Sequence, residues 1–126
     1  MRGRIVVVED DAGVLQLLQD IFGDEGYEFV DVRGPEAALE AAFERKPDLF
    51  LIDVMLPKQS GIEVADKLWL NGFSDVPMVA ISASSIMRDL ARHTSLFQAV
   101  VNKPFDLTEF TELVDRLITA TKPLAD

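Results

Sequence analysis

The chain has 126 residues, the usual size of one domain with a single hydrophobic core. Its formal net charge of −10 at pH 7 argues against a nucleic-acid backbone as direct partner, since phosphate neutralisation needs a basic face, and it disfavours anionic membrane surfaces. The lack of cysteine excludes disulfides, thiolate metal sites and cysteine nucleophiles. Because no apolar stretch reaches membrane-spanning length, the composition predicts a cytoplasmic, single-domain protein.

The predicted elements alternate between strand and helix along the chain. Short runs rich in β-branched side chains predict strands at 5–8, 29–32, 49–52, 78–81 and 99–101. Helical spacing of apolar or small residues predicts helices at 14–22, after Pro35, at 64–70, from 84 or 85 to about 94, and at 110–118. The third and fifth of these helices follow N-terminal capping patterns, Ser60 to Glu63 and Asp106 to Glu109.

This alternation favours a parallel sheet that is covered by helices on both faces. The runs IVVV, LFLI and MVAI are unbroken apolar segments, as is typical of parallel strands buried on both sides. The run FVDV contains an acid, which predicts that the strand at 29–32 lies at an edge of the sheet.

Polar residues stand at or just after the ends of four predicted strands. They are Glu9, Asp10, Asp53, Ser82 and Lys103. Since the carboxyl ends of parallel strands lie along one rim of the sheet, where open α/β folds bind ligands, these side chains are expected to converge.

The chemistry of such a cluster follows from its charges. Three carboxylates within a few ångströms repel each other unless they bind protons or a cation, and oxygen ligands suit Mg²⁺. A lysine ammonium and a serine hydroxyl could then pair with phosphoryl oxygens. Because a carboxylate can act as a nucleophile that forms an aspartyl phosphate, Asp53 is interpreted as a phosphoryl acceptor.

Four segments, VVVEDD, LIDVMLPKQSG, VAISA and VNKPF, occur in this order along the chain. Together they resemble the receiver domain of two-component response regulators, and the resemblance covers about residues 3 to 121. The resemblance implies a flavodoxin-like (βα)5 sandwich with a five-stranded parallel sheet of order 2-1-3-4-5. It also implies a receiver domain of residues 1–122, followed by a short C-terminal tail at 123–126.

By this resemblance, Asp53 accepts a phosphoryl group from the phosphohistidine of a sensor histidine kinase or a histidine phosphotransfer protein. Asp10 and Asp53 would bind Mg²⁺ directly, and Glu9 would bind it mainly through water. The backbone carbonyl of Met55 would supply a further ligand.

Two more residues complete the site that the resemblance implies. Ser82 would move towards the phosphoryl group, and Lys103 would bind one of its oxygens. In many receivers the serine or threonine is coupled to an aromatic residue three positions before the lysine, but this chain has Val100. Because valine cannot make the same large rotamer change, the switch region of Ser82 and Val100 predicts a divergent output face formed by the fourth helix, fifth strand and fifth helix.

Two other functions stay open. An aspartate-nucleophile phosphohydrolase would share the sheet and Mg²⁺, but such enzymes usually carry a second acid two residues after the nucleophile, where this chain has Met55. The chain is therefore predicted to be no enzyme beyond assisting its own phosphorylation and dephosphorylation. A receiver-like docking module that works without phosphorylation is favoured by Val100 and opposed by the intact acids and lysine.

The expected partners are the upstream histidine kinase or phosphotransfer protein and an unknown downstream protein target. Direct nucleic-acid binding and membrane insertion are not expected, and both a monomer and a homodimer stay open. The sequence does not decide between a stand-alone receiver and a fragment of a longer regulator.

Overall fold

The structure is a computed structural model that describes residues 2–56, 59–103 and 105–121. The predicted domain end at residue 122 and the tail 123–126 lie outside the described residues, as do positions 57, 58 and 104 within the quoted segments. Among the residues that are described, no helix combines the length and apolar character needed to cross a membrane.

Across the described ranges, five strands and five helices alternate. The strands are β1 Gly3–Val8, β2 Tyr27–Val32, β3 Leu49–Asp53, β4 Met78–Ser82 and β5 Ala99–Asn102. The helices are α1 Ala12–Asp24, α2 Pro35–Glu44, α3 Gly61–Leu68, α4 Ser85–Arg92 and α5 Leu107–Thr121. All strand pairs are parallel and the sheet order is 2-1-3-4-5, so the predicted fold and the predicted edge position of β2 are confirmed.

The two faces of the sheet are covered by different helices. Alternate residues of β1, β3 and β4 pack against α1 and α5, where Phe22 and Phe110 contact each other edge to face. The intervening residues pack against α2 and α3. A smaller cluster, which includes Ala80 and Ala91, joins β4 to α4. Burial on both faces explains why the central strands are unbroken apolar runs.

Helix α3 ends earlier than the predicted helix at 64–70. Its regular part ends at Leu68, and a π-helical turn over Trp69–Phe73 follows. Within this turn Asn71 leaves helical geometry and Gly72 has a φ of 102°, a conformation that favours glycine. The predicted end at residue 70 therefore lies within the π-helical turn, just before Asn71 and Gly72 interrupt the helical backbone.

Candidate functional site

Neighbouring strands end at nearly the same level along one rim of the sheet. In the strand register Val8 pairs with Ile52, Asp53 with Ile81 and Ser82 with Asn102. The residues at or just after these ends are Glu9, Asp10, Asp53, Ser82 and Lys103, the set that the sequence predicts to converge.

Lys103 joins two of the predicted acids. Its ammonium Nζ donates a hydrogen bond to Asp53 Oδ2 at 2.9 Å and lies 2.8 Å from Glu9 Oε2. Only 18% of the Lys103 side chain is exposed. Burial alone lowers the pKa of Lys103, but the carboxylates of Glu9 and Asp53 outweigh it and the net pKa is raised. The predicted proximity of these three side chains is therefore confirmed.

Glu9 is the most deeply placed acid of the site, with no exposed surface. Its Oε1 accepts hydrogen bonds from the backbone amides of Asp10 and Asp11, both at 3.1 Å. Its Oε2 has only the ion pair with Lys103 and lacks a partner with hydrogen-bond geometry. Burial, followed by the neighbouring Asp53, raises the pKa of Glu9 to about 7. One buried oxygen of Glu9 is therefore neutralised by the ion pair with Lys103 alone.

Asp53 is fixed through both carboxylate oxygens. The backbone amide of Met55 donates to Oδ1 at 2.8 Å, while Lys103 contacts Oδ2. Asp53 is only 4% exposed, yet it lies at the strand end rather than within the core. Because both oxygens accept hydrogen bonds, these contacts offset the free-energy cost of burying a carboxylate in an apolar run.

Gly61, the first residue of α3, lies directly against the strand end that carries Asp53. A Cβ atom added at Gly61 would lie 2.1 Å from the Asp53 carbonyl oxygen and 2.8 Å from Val54 Cα. The Gly61 amide also donates to the Val54 carbonyl at 2.9 Å. The sequence reasoning assigned no role to Gly61, and its only signal was a glycine at the start of a helix capped by Ser60.

Ser82 is fully buried at the end of β4. Its hydroxyl accepts a hydrogen bond from the Ser84 amide at 3.0 Å. Its carbonyl accepts two bonds, from the Lys103 amide at 3.0 Å and from Arg88 Nη1 at 3.3 Å. The position of Arg88 in the sequence gives no sign of this contact, because helical spacing does not indicate how far a long side chain reaches.

Val100 is half-buried on β5, where it pairs with Ala80 of β4. It packs against the small cluster of Val54, Ala80 and Ala91 beneath α4. The predicted divergence of the output face stays a prediction.

The acidic residues have the arrangement that a hard cation needs. One carboxylate oxygen from each of Glu9, Asp10 and Asp53 lies within 4.8 Å of the others, and Asp10 is exposed to solvent. An all-oxygen donor set with one open, hydrated side suits Mg²⁺. The Glu9 Oε2, which has an ion pair with Lys103 but no hydrogen bond, and the repulsion among these carboxylates fit a site that could hold a metal ion.

Comparison with known proteins finds related sequences. The family described as response regulator receiver domain matches residues 5–115 of the chain. The polar-differentiation response regulator DivK of Brucella anthropi is 32% identical over 114 residues, which cover 87% of this chain and 91% of that protein.

Solved structures share the fold. The response regulator protein TrrA from Thermotoga maritima, solved in complex with Mg²⁺–BeF, is 32% identical with a TM-score of 0.79, and the match covers 90% of this chain and 97% of that chain. NtrX from Brucella abortus is 24% identical with a TM-score of 0.85. That match covers 96% of this chain but only 28% of the NtrX chain, so it supports the fold alone.

Proposed function

The chain belongs to the response regulator receiver domain family, and on this premise we propose that it is a signalling switch whose phosphoacceptor is Asp53. The strongest support is the buried contact between Asp53 and Lys103 beside the carboxylates of Glu9 and Asp10. The donor is the phosphohistidine of a sensor histidine kinase or a histidine phosphotransfer protein. The phosphorylated domain then changes its binding to a downstream protein.

The transfer is a substitution at phosphorus. A carboxylate oxygen of Asp53 attacks the phosphorus, a P–O bond forms as the P–N bond breaks, and the electron pair of that bond remains on the imidazole nitrogen of the donor. The Met55 amide and Lys103 fix the rotation of the Asp53 carboxylate before the attack. Such positioning is the main contribution of a protein to phosphoryl transfer.

Lys103 and Ser82 act on the product. Lys103 Nζ is already 2.9 Å from Asp53 Oδ2, so it can pair with a phosphoryl oxygen after a small movement. The Ser82 hydroxyl accepts from the Ser84 amide and keeps its own proton free to donate to a second phosphoryl oxygen.

The acids would hold Mg²⁺ in this function. Asp10 and Asp53 would bind it directly, Glu9 mainly through water, and the Met55 carbonyl would complete the protein ligands. A bound Mg²⁺ supplies charge neutralisation for the phosphoryl oxygens and for the crowded carboxylates. The protein ligands and Lys103 together balance charge around the group being transferred.

The test is phosphorylation by a small donor. Incubation with Mg²⁺ and acetyl phosphate should add one phosphoryl group by intact mass, with none in EDTA and none in Asp53→Asn. The matched control Asp24→Asn, which removes an exposed acid at the far end of α1, should be modified like the native protein. An adduct on a serine, or no adduct in the native protein, would contradict the proposal and support the docking module that works without phosphorylation.

A second assay, the turnover of a phosphate monoester, separates a switch from a phosphohydrolase. The position two residues after Asp53 is Met55, whose side chain cannot protonate a leaving group. The domain should therefore assist only its own phosphorylation and dephosphorylation. Sustained multiple turnover of a phosphate monoester such as p-nitrophenyl phosphate would contradict this and support the enzyme.

A further inference from the structure

Arg88 connects α4 to the end of β4. It lies in the middle of α4, half-buried, and its Nη1 reaches back to the carbonyl of Ser82 at 3.3 Å. The same carbonyl accepts the backbone amide of Lys103 at 3.0 Å. One oxygen atom therefore joins α4 to the backbone of two residues of the proposed phosphorylation site.

The side chain of Ser82 makes a second connection to α4. The Ser82 hydroxyl accepts a hydrogen bond from the Ser84 amide. Ser84 is the N-cap of α4, and its hydroxyl accepts a hydrogen bond from the Met87 amide at 3.3 Å. Any movement of Ser82 thus acts on both the N-cap and the guanidinium of this helix. Hydrogen-bonded groups with directional geometry transmit such a displacement because breaking the contact leaves polar groups unsatisfied.

The apolar cluster beneath α4 has no large ring at position 100. Val100 packs with Val54, Ala80 and Ala91, and Met87 and Phe97 pack against the same cluster. The branched Cβ of valine restricts its χ1 angle, so Val100 does not swing between buried and exposed positions as a large ring can. The hydrogen bonds of Ser82 therefore give the site a polar connection to α4.

We propose that Arg88 is a positioning residue that transmits phosphorylation of Asp53 to α4 through the carbonyl of Ser82. This inference rests on the proposed function, because it requires Ser82 to respond to a phosphoryl group on Asp53. When the Ser82 hydroxyl donates to one phosphoryl oxygen and the Lys103 ammonium pairs with another, the backbone of both residues shifts. The Ser82 carbonyl, which accepts both the Lys103 amide and Arg88 Nη1, shifts with it, and Arg88 follows. The state of the site and the state of α4 are then coupled in both directions.

The test measures α4 while a phosphoryl mimic occupies the site. Native protein, Arg88→Met, Arg88→Lys and Arg92→Met are each saturated with Mg²⁺ and beryllium fluoride. Occupancy at Asp53 is followed by ¹⁹F NMR and the response of α4 by amide chemical shifts of residues 84–92. Arg92 is the matched control, because it is an exposed arginine one turn along α4 that pairs with Asp89.

At full occupancy, Arg88→Met should reduce the shift changes in α4 at least about twofold, while Arg92→Met leaves them unchanged. Arg88→Lys keeps a donor and should recover part of the response, which a loss of helix stability alone would not do. An undiminished response in Arg88→Met, or an equal reduction in Arg92→Met, would overturn the role of Arg88. If the native protein does not bind the mimic, both the proposed function and the role of Arg88 are overturned.

Discussion

Asp10 and Asp11 are adjacent acids with different structural positions. The Asp11 side chain accepts hydrogen bonds from the amides of Gly13 and Val14 and so caps α1. The Asp10 carboxylate instead faces those of Glu9 and Asp53 within 4.8 Å. At the scale of single residues, one acid therefore stabilises a helix terminus and the other belongs to the candidate metal site.

This difference predicts that the same Asp-to-Asn substitution affects the rate of phosphorylation at one position and not at the other. Asp10→Asn should slow formation of the Mg²⁺-dependent phosphoryl adduct by at least about tenfold, because it removes the charge of a proposed metal ligand. Asp11→Asn should leave the rate unchanged, because asparagine is an equally good N-cap. The measurement is the rate of adduct formation by intact mass at fixed Mg²⁺. Equal rates in the two variants would contradict the assignment of Asp10.

Glu9 predicts a pH dependence of stability in the absence of metal. Its pKa is raised from 4.5 to about 7, first by burial and then by Asp53. The folded state therefore binds more protons than the unfolded state between these two pH values, and the free energy of unfolding falls as pH rises through this window. In Glu9→Gln this fall is absent. As the pH rises from 4.5 to 7, the free energy of unfolding of the variant should therefore increase by about 2–3 kcal/mol relative to that of the native protein.

The measurement is urea unfolding in EDTA at a series of pH values. The native protein and Glu9→Gln are compared at each pH, so that the titration of the other carboxylates cancels. Parallel curves for the two proteins across the window would show that Glu9 is not the titrating group.

At the scale of elements, the join between β3 and α3 sets the position of Asp53. Ser60 caps α3, and its hydroxyl accepts from the Ile62 amide at 3.1 Å. Gly61 then brings the helix start into contact with the backbone of Asp53 and Val54. The close approach is possible only without a side chain at this position.

Gly61→Ala should therefore disturb both the fold and the site. The added Cβ would overlap the Asp53 carbonyl oxygen, so the strand end and the helix must separate, at a cost of about 1–3 kcal/mol in the free energy of unfolding. Adduct formation at Asp53 should slow at the same time. Chemical denaturation and intact mass measure the two effects.

Gly23→Ala is the matched control. Gly23 lies in α1, and an added Cβ would meet no other atom within 4 Å. This variant should gain up to about 1 kcal/mol from the higher helix propensity of alanine, with unchanged phosphorylation. A Gly61→Ala protein that is as stable and as reactive as Gly23→Ala would contradict the close packing of α3 on β3.

At the scale of the whole molecule, the sheet concentrates acids from distant parts of an already acidic chain. Glu9, Asp10 and Asp53 contribute three carboxylates to the site, whereas Lys103 is the one ammonium that contacts them among the described residues. The excess negative charge is relieved only partly by Lys103, so binding of a divalent cation should stabilise the folded state.

Mg²⁺ at ten times its dissociation constant should raise the free energy of unfolding by about 1.4 kcal/mol, which corresponds to a few degrees in Tm. Because the net charge is −10, a matched sample with NaCl at the same ionic strength controls for general screening. Asp10→Asn should lose most of the Mg²⁺ effect. A Tm that responds equally to NaCl and to Mg²⁺ would count against the site.

The sequence by itself determined the alternation of strands and helices, the parallel sheet and the composition of the site. Unbroken apolar runs indicate strands buried on both faces, and the acids and lysine that follow them must lie at one rim because parallel strands end on the same side. That reasoning predicted the proximity of Glu9, Asp53 and Lys103 without any coordinate. The end of α3 was predicted to within two residues, and only the change from α-helical to π-helical geometry after Leu68 was not foreseen.

Only the tertiary structure decided which atoms of these residues meet. Lys103 contacts two acids that are distant along the chain. Two further contacts connect a helix to a strand: the approach of Gly61 to Asp53 and the hydrogen bond from Arg88 to Ser82. Periodicity indicates which face of a helix is buried, but not how closely the helix packs or how far a long side chain reaches. Those distances depend on the packing of α3 and α4 against the sheet, which the order of residues alone does not express.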